Sequence, residues 1–253
     1  MIKFITDIDN YESHFVEFVD NLIKFLYTDI YKNNTDHVMI DVGANIGTIT
    51  EIMLTHINKT SGLVIAIDAH PKWLDQFIYA QHKLVKIYNI GCYSEKRIKK
   101  FIAHTTMTGI GFIGMPPDPT IVDLTDLHIN NIECDTLDNI IKLPDNKKIA
   151  LIKIDAESAD FEIILGSSDI IKKYRPFIIF EFSGQCIERI HAHTRIDFFE
   201  FFNQNQYSVY SVGLGRSTEY IADHWDERVP EFKDILAVPN EYKRFVNKEE
   251  INE

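Results

Sequence analysis

Cysteine is scarce and scattered. Cys92, Cys134 and Cys186 are odd in number, far apart and without a Cys-x-x-Cys pair. That pattern gives no basis for a disulfide framework or a zinc knuckle, and fits buried thiols in a reducing compartment. Long apolar runs are also missing: none approaches the roughly 20 residues that cross a bilayer. The N-terminus, Met1-Ile2-Lys3-Phe4-Ile5-Thr6-Asp7-Ile8-Asp9, meets acidic residues before a signal-like apolar core can form. The expectation is a soluble, cytoplasmic protein with no membrane association. Positive charge is in deficit, with 26 Lys+Arg against 38 Asp+Glu and a net charge of -12. Such a surface repels a polyanion unless a local basic groove overrides it, so nucleic acid is not an expected partner. Internal repeats, low-complexity tracts and obvious linkers are absent.

What is present suffices for a sizeable core: 253 residues, 45% hydrophobic and 12% aromatic. One domain is expected over 1–253, with a helical extension at 1–35, a core at 36–240 and a tail at 241–253. Phe15, Phe18, Val19, Leu22, Ile23 and Leu26 recur at helical spacing and predict a helix over 11–31 that covers one flank of a sheet. Short apolar runs follow at Val38-Met39-Ile40, Leu63 to Ile67, Val85 to Ile90, Ile149 to Ile154 and Phe177 to Phe180, with further strands near 97–103, 207–212 and 234–238. Several are continuously apolar, as in strands buried on both faces. Helices are expected after Gly47, after Pro71 with Trp73, Leu74, Phe77 and Ile78 on one face, from about Ala159, and near 194–204. Residues 104–131, with the Met115-Pro116-Pro117-Asp118-Pro119 cluster, read as a long loop. Alternating strands and helices predict a doubly wound α/β fold with a mostly parallel sheet.

In such sheets, ligands bind beyond the carboxyl ends of the strands. Asp41, Asp68, Asp155 and Glu181 stand where buried strands give way to loops. In Asp41-Val42-Gly43-Ala44-Asn45-Ile46-Gly47, Gly43 permits a tight turn close to a ligand and Gly47 close packing as a helix starts. This is not the Gly-x-Gly-x-x-Gly dinucleotide loop, which disfavours an NAD-dependent oxidoreductase. An acid before the turn disfavours phosphate and favours a ligand with positive charge, an ammonium or a sulfonium; the bland alternative is that Asp41 caps the helix. Asp68, one strand-helix-strand unit on, can accept hydrogen bonds from ribose hydroxyls, or cap the next helix.

Three blocks resemble the FkbM-type methyltransferases. The first is Asp41 to Gly47, similar to that family's cofactor loop. The second is Val64-Ile65-Ala66-Ile67-Asp68-Ala69-His70-Pro71, where the family usually has Glu then Pro. The third runs from Thr136-Leu137-Asp138 through Ile152-Lys153-Ile154-Asp155-Ala156-Glu157 to Arg175-Pro176-Phe177-Ile178-Ile179-Phe180-Glu181. The resemblance covers roughly residues 36–215. It departs at Asp155-Ala156-Glu157-Ser158-Ala159-Asp160, where the family commonly reads Asp-x-Glu-Gly-x-Glu.

The resemblance implies a class I methyltransferase (Rossmann-like) fold with a seven-stranded sheet. It implies S-adenosylmethionine as donor, held by Asp41, Gly43, Ala44, Asn45, Gly47, Asp68, Ala69, Cys92 and Asp155, and O-methylation of a sugar, glycan or other small hydroxylated metabolite. Methyl transfer is an in-line displacement dominated by positioning, helped by a base that takes the hydroxyl proton. Asp155 and Glu157 are the first candidates for that base, and Lys153 orients them, contacts the acceptor, or snorkels to the surface. His104, Glu181, Tyr220, His224 and Trp225 are candidate acceptor contacts, with 213–233 and 104–131 as a lid. A divalent cation on Asp155, Glu157, Asp160 and Glu181 is a weaker alternative, no metal being favoured. His191 and His193, one residue apart, would point to different faces of a helix, so a shared metal is not expected there. An RNA ribose methyltransferase and a catalytically silent cofactor-binding module are the competing functions. A homo-oligomer stays open.

Overall fold

The computed structural model describes residues 11–32, 36–57, 61–104, 111–114, 127–157, 159–183, 191, 193–212, 219–220 and 232–246. Eight strands make the main sheet: β1 (Val38–Val42), β2 (Leu63–Asp68), β3 (Val85–Asn89), β8 (Ile149–Ile154), β9 (Phe177–Ser183), β10 (Tyr207–Ser211), β11 (Glu219–Tyr220) and β12 (Phe232–Pro239). Their order is β11-β10-β12-β9-β8-β1-β2-β3. Five neighbours, from β9 across to β3, run parallel. β12 is antiparallel to both β9 and β10, so the sheet is mixed. Without the two-residue β11 it has the seven strands expected. The chain moves from β1 outward to β3 and then returns to β8 on the other side of β1, which makes β1/β8 the switch point where such sheets open a crevice.

Beyond a register shift at the start of β8, the apolar runs alternate faces. Val38, Ile40, Ile65, Ile67, Ile152, Ile154, Ile178 and Phe180 enter one core cluster, while Met39, Val64, Leu151, Phe177 and Ile179 enter the other. Burial on both sides explains why the sequence shows continuous rather than alternating hydrophobicity there. One face is covered by α1 (Tyr11–Phe25), extended by a π-helical turn at Leu26–Ile30, and by α2 (Thr48–His56). The other carries α4 (Asp160–Leu165), α5 (Ser168–Tyr174) and α6 (Arg195–Gln204), where Phe180 stacks on Phe202 at 5.6 Å.

A second sheet was not foreseen. β4 (Gly91–Cys92), β5 (Arg97–His104), β6 (Gly111–Ile113) and β7 (Leu127–Asp135) pair in the order β4-β7-β5-β6. The long loop expected over 104–131 therefore includes β6 and the start of β7, and the rest of it lies outside the described residues. The helix expected after Pro71 is also corrected. Only Trp73–Asp75 form a 3-10 turn; Trp73 and Phe77 are buried, but Leu74 and Ile78 are 46% and 71% exposed. The segment is held instead by side chains: the Trp73 indole donates to the Asn45 carbonyl at 2.7 Å, and Trp73 packs on Phe77.

Two parts of the third resembling block are structural. Thr136 caps α3 (Leu137–Ile140), and the Asp138 carboxylate accepts the amides of Asp169 at 3.0 Å and Ile170 at 2.9 Å, capping α5 across 31 residues of chain. Arg175 donates to the carbonyls of Asn205 and Gln206 and pairs with Glu241 at 2.8 Å, tying the end of α6 to the sheet.

Candidate active site

A cleft lies at the carboxyl ends of β1, β2 and β8, about 680 Å³ when the solvent in its open mouth is included. Its polar lining includes Gly43, Asn45, Asp68, His70, Asp155 and Glu157, and its apolar lining Ile67, Ile90, Cys92, Phe101, Ile113 and Ile163. Ala69 also lines it.

Chain geometry fixes this shape. Gly43 has φ +72, and a Cβ there would lie 1.8 Å from the Asp155 carbonyl oxygen. The β1 and β8 loops can meet only because residue 43 lacks a side chain. The Gly43 and Ala44 amides bond the Ile67 carbonyl, and Asn45 N donates to Asp68 Oδ2 at 3.0 Å. Asp68 Oδ1 accepts the His70 amide at 2.8 Å. Both carboxylate oxygens are thus aimed by backbone amides while Asp68 still faces the cavity. Burial pushes the Asp68 carboxyl up from the ordinary range, and the two amides oppose that shift.

Asp41 is placed differently from the expectation. It is fully buried and absent from the cavity lining. Thr50 Oγ1 donates to its Oδ2 at 2.6 Å, and Lys153 Nζ lies 3.6 Å from its Oδ1. Lys153 neither snorkels nor reaches the cavity, its side chain being 5% exposed. Its ammonium donates to the Gly43 carbonyl at 3.1 Å and pairs with Asp155 Oδ2 at 3.2 Å. Burial alone would lower this amine, but the carboxylates of Asp155 and Asp41 outweigh it and hold the amine protonated, above its ordinary range. A cation so held serves as a strut under the turn and cannot act as a base.

Asp155 and Glu157 do face the cavity. Glu157 sits at φ +48, and burial, with the nearby Asp155 charge, raises its carboxyl to about 7. Behind them Asp160 accepts the Glu181 amide at 3.2 Å, and burial raises Asp160 and Glu181 to about 8 and about 9. Glu181 does not line the cavity.

Ala44 is buried against Trp73 and Phe77, and Gly47, φ +104, leaves room for Tyr79, so both support the loop without lining the cavity. His104 ends β5 and Tyr220 ends β11, but their side chains, with His224 and Trp225, lie outside the described residues. The rings of His191 and His193 both reach Glu162, at 3.8 and 2.9 Å, contrary to the opposed faces expected. Among the described residues no group of three or more His, Cys, Asp or Glu is arranged to hold a metal ion, and no helix is long and apolar enough to cross a membrane. Sequence reasoning missed His70, Ile90, Phe101, Gly111, Ile113 and Ile163 as lining residues. Phe101, Gly111 and Ile113 come from the unforeseen second sheet; only the position of His70, two residues past Asp68, carried a signal.

The glycine turn of β1 and the strand-end carboxylate of β2 line a cleft beside the switch point of the sheet, where such folds bind ligands. A family model described as the Methyltransferase FkbM domain matches residues 41–237, and the chain belongs to that family. No curated protein matches significantly. Among solved structures, the methyltransferase FkbM from Methylobacillus flagellatus KT is 13% identical, with 92% of this chain covered and a TM-score of 0.46. The present chain spans 56% of that protein's length. The precorrin-6y C5,15-methyltransferase from Geobacter metallireducens GS-15 is 12% identical over 93% of this chain and 94% of that one, with a TM-score of 0.42. The plantazolicin methyltransferase BpumL, in complex with a triazolic desmethylPZN analogue and SAH, is 10% identical over 92% and 88%, with a TM-score of 0.47. Likenesses this distant assign neither acceptor nor reaction.

Proposed function

We propose that the protein uses S-adenosylmethionine to methylate a hydroxyl of a sugar, glycan or other small hydroxylated metabolite. The observation that carries the donor half is Asp68: a strand-end carboxylate held by the amides of Asn45 and His70 in the lining of an open cavity. Its remaining lone pairs suit a pair of ribose hydroxyls. The apolar wall of Ile90, Cys92, Phe101 and Ile113 suits a flat purine, and Gly43, Asn45 and Asp155 form a polar rim for a charged amino-acid tail. The donor set therefore fits the group. When bound, S-adenosylmethionine supplies a methyl carbon activated by the sulfonium.

The chain's own contribution is positioning and proton transfer. Glu157, poised about 7, can accept the proton of an acceptor hydroxyl near neutrality. Asp155 is held by Lys153 and lies half exposed at the rim, where a second negative charge favours a cationic donor. Asp41 acts through Lys153 rather than by gripping the ligand. His104, Tyr220, His224 and Trp225 remain proposed acceptor contacts. Incubation with methyl-labelled S-adenosylmethionine and a panel of sugars and nucleotide sugars should label a hydroxyl-bearing product. Label found solely on RNA or on carbon would refute O-methylation of a small metabolite.

A further inference from the structure

His70 lines the cavity two residues past Asp68, and nothing in the proposed reaction uses it. Three contacts fix its place. Asn89 Nδ2 donates to the His70 carbonyl at 2.9 Å and to the Asp68 carbonyl at 2.8 Å, pinning the turn to β3. The His70 amide bonds the Asp68 carboxylate at 2.8 Å. The ring meets Phe101 edge-on, 5.9 Å between centroids.

A fourth contact fixes its proton. The Lys72 backbone amide lies 3.1 Å from His70 Nδ1. An amide can only donate, so Nδ1 must be the acceptor, and a neutral imidazole then carries its hydrogen on Nε2. The ring nitrogen left over is an N–H donor on a residue that lines the cavity. Burial also disfavours a second proton on this ring; the neighbouring Lys72 charge adds to that effect and the Asp68 charge opposes it.

We infer that His70 is a ligand-binding residue whose neutral imidazole donates a hydrogen bond from Nε2 to an acceptor atom on the nucleoside half of the donor. The inference rests on the reading that the cavity takes S-adenosylmethionine. Asp68 is an acceptor and Nε2–H a donor, so together they match a nucleoside, which offers both hydroxyl donors and oxygen or ring-nitrogen acceptors. A phosphate on the ribose hydroxyls themselves would find Asp68 repulsive, so the pair recognises a nucleoside whose ribose hydroxyls are free.

Two variants separate the ring's two nitrogens. Asparagine at 70 can keep an acceptor for the Lys72 amide but has no counterpart of Nε2. Glutamine can place an amide N–H near the Nε2 position. With thermal unfolding checked for each, titration calorimetry with S-adenosylhomocysteine should show His70→Asn binding about three- to tenfold more weakly, the loss expected for one neutral hydrogen bond. His70→Gln should stay within about twofold of the parent, on the same grounds. Nitrogen-15 NMR of the ligand-free protein at neutral pH should show His70 protonated on Nε2 alone. A proton on Nδ1, or His70→Asn binding as tightly as the parent, would overturn the inference and leave the donor reading intact. Failure of the parent itself to bind S-adenosylhomocysteine would overturn both.

Discussion

Replacing Lys153 with methionine removes one ammonium and little volume, and the structure sets the consequence. Asp41 is fully buried, and its Oδ1 has no hydrogen-bond partner among the described residues, facing only the Lys153 ammonium at 3.6 Å. The Thr50 hydroxyl satisfies the other oxygen. Without Lys153 a buried carboxylate is left uncompensated, which costs about 3–5 kcal/mol when the partner of a buried pair is removed. For a chain of this size that corresponds to a fall in Tm of roughly 6–20 °C. The Gly43 carbonyl also loses its donor, so binding at the adjacent cavity should weaken. Circular-dichroism melts of Lys153→Met, Asp41→Asn and the double variant form the assay. The double variant, with no stranded charge, should recover at least half of the loss. A single variant within about 1 kcal/mol of the parent, below the range for a stranded buried charge, would refute the view of Lys153 as a strut.

Gly43→Ala should cost more than about 2 kcal/mol, since a left-handed residue with a Cβ is strained and this Cβ would meet the Asp155 carbonyl; calorimetry should find S-adenosylhomocysteine binding abolished. Glu157→Gln should lower kcat about 100-fold with little change in donor affinity. As a base, Glu157 acts when ionised, so parent kcat should rise with pH through about 7 and the rising limb should vanish in the variant. Glu157, Asp160 and Glu181 are raised by burial to about 7, 8 and 9, so each keeps a proton in the folded state that the unfolded chain releases. Their contribution to stability is present in full below the unfolded carboxyl range near 4, and is lost progressively as pH rises to about 9. Urea unfolding should therefore show this contribution as greater stability at the acid end of that range. Asp138→Ala should lower stability by about 1 kcal/mol through loss of the α5 cap while leaving ligand affinity unchanged, and that pairing separates the structural part of the family block from the binding part.

The parallel strands were legible because burial on both faces leaves continuous apolar runs such as Ile149 to Ile154 and Phe177 to Phe180. Of the four strand-end acids that fold rules point to, Asp68 and Asp155 line the cavity, and Asp41 and Glu181 do not. The role of Asp41 was not legible. Nothing in its spacing reveals that Lys153, on the neighbouring strand and 112 positions on, sits against it in the interior. Helical spacing after Pro71 misled because Trp73 and Phe77 are buried by packing on each other beneath the glycine loop, not by a helix face. β5 was expected as a strand near 97–103, but its sheet escaped because the partner β7 is interrupted by Asn130-Asn131 and begins, like β6, inside the stretch 104–131 read as a loop. With that sheet went Phe101, Gly111 and Ile113 of the cavity lining.

Calorimetric titration of the folded chain with S-adenosylhomocysteine bears most directly on the claim that the cleft between β1 and β8 is a donor site. Saturable one-to-one binding, lost on Asp68→Ala, is the expected result. A cooperatively folding protein that releases no heat with this ligand, or an Asp68→Ala variant that binds it unchanged, would contradict the account.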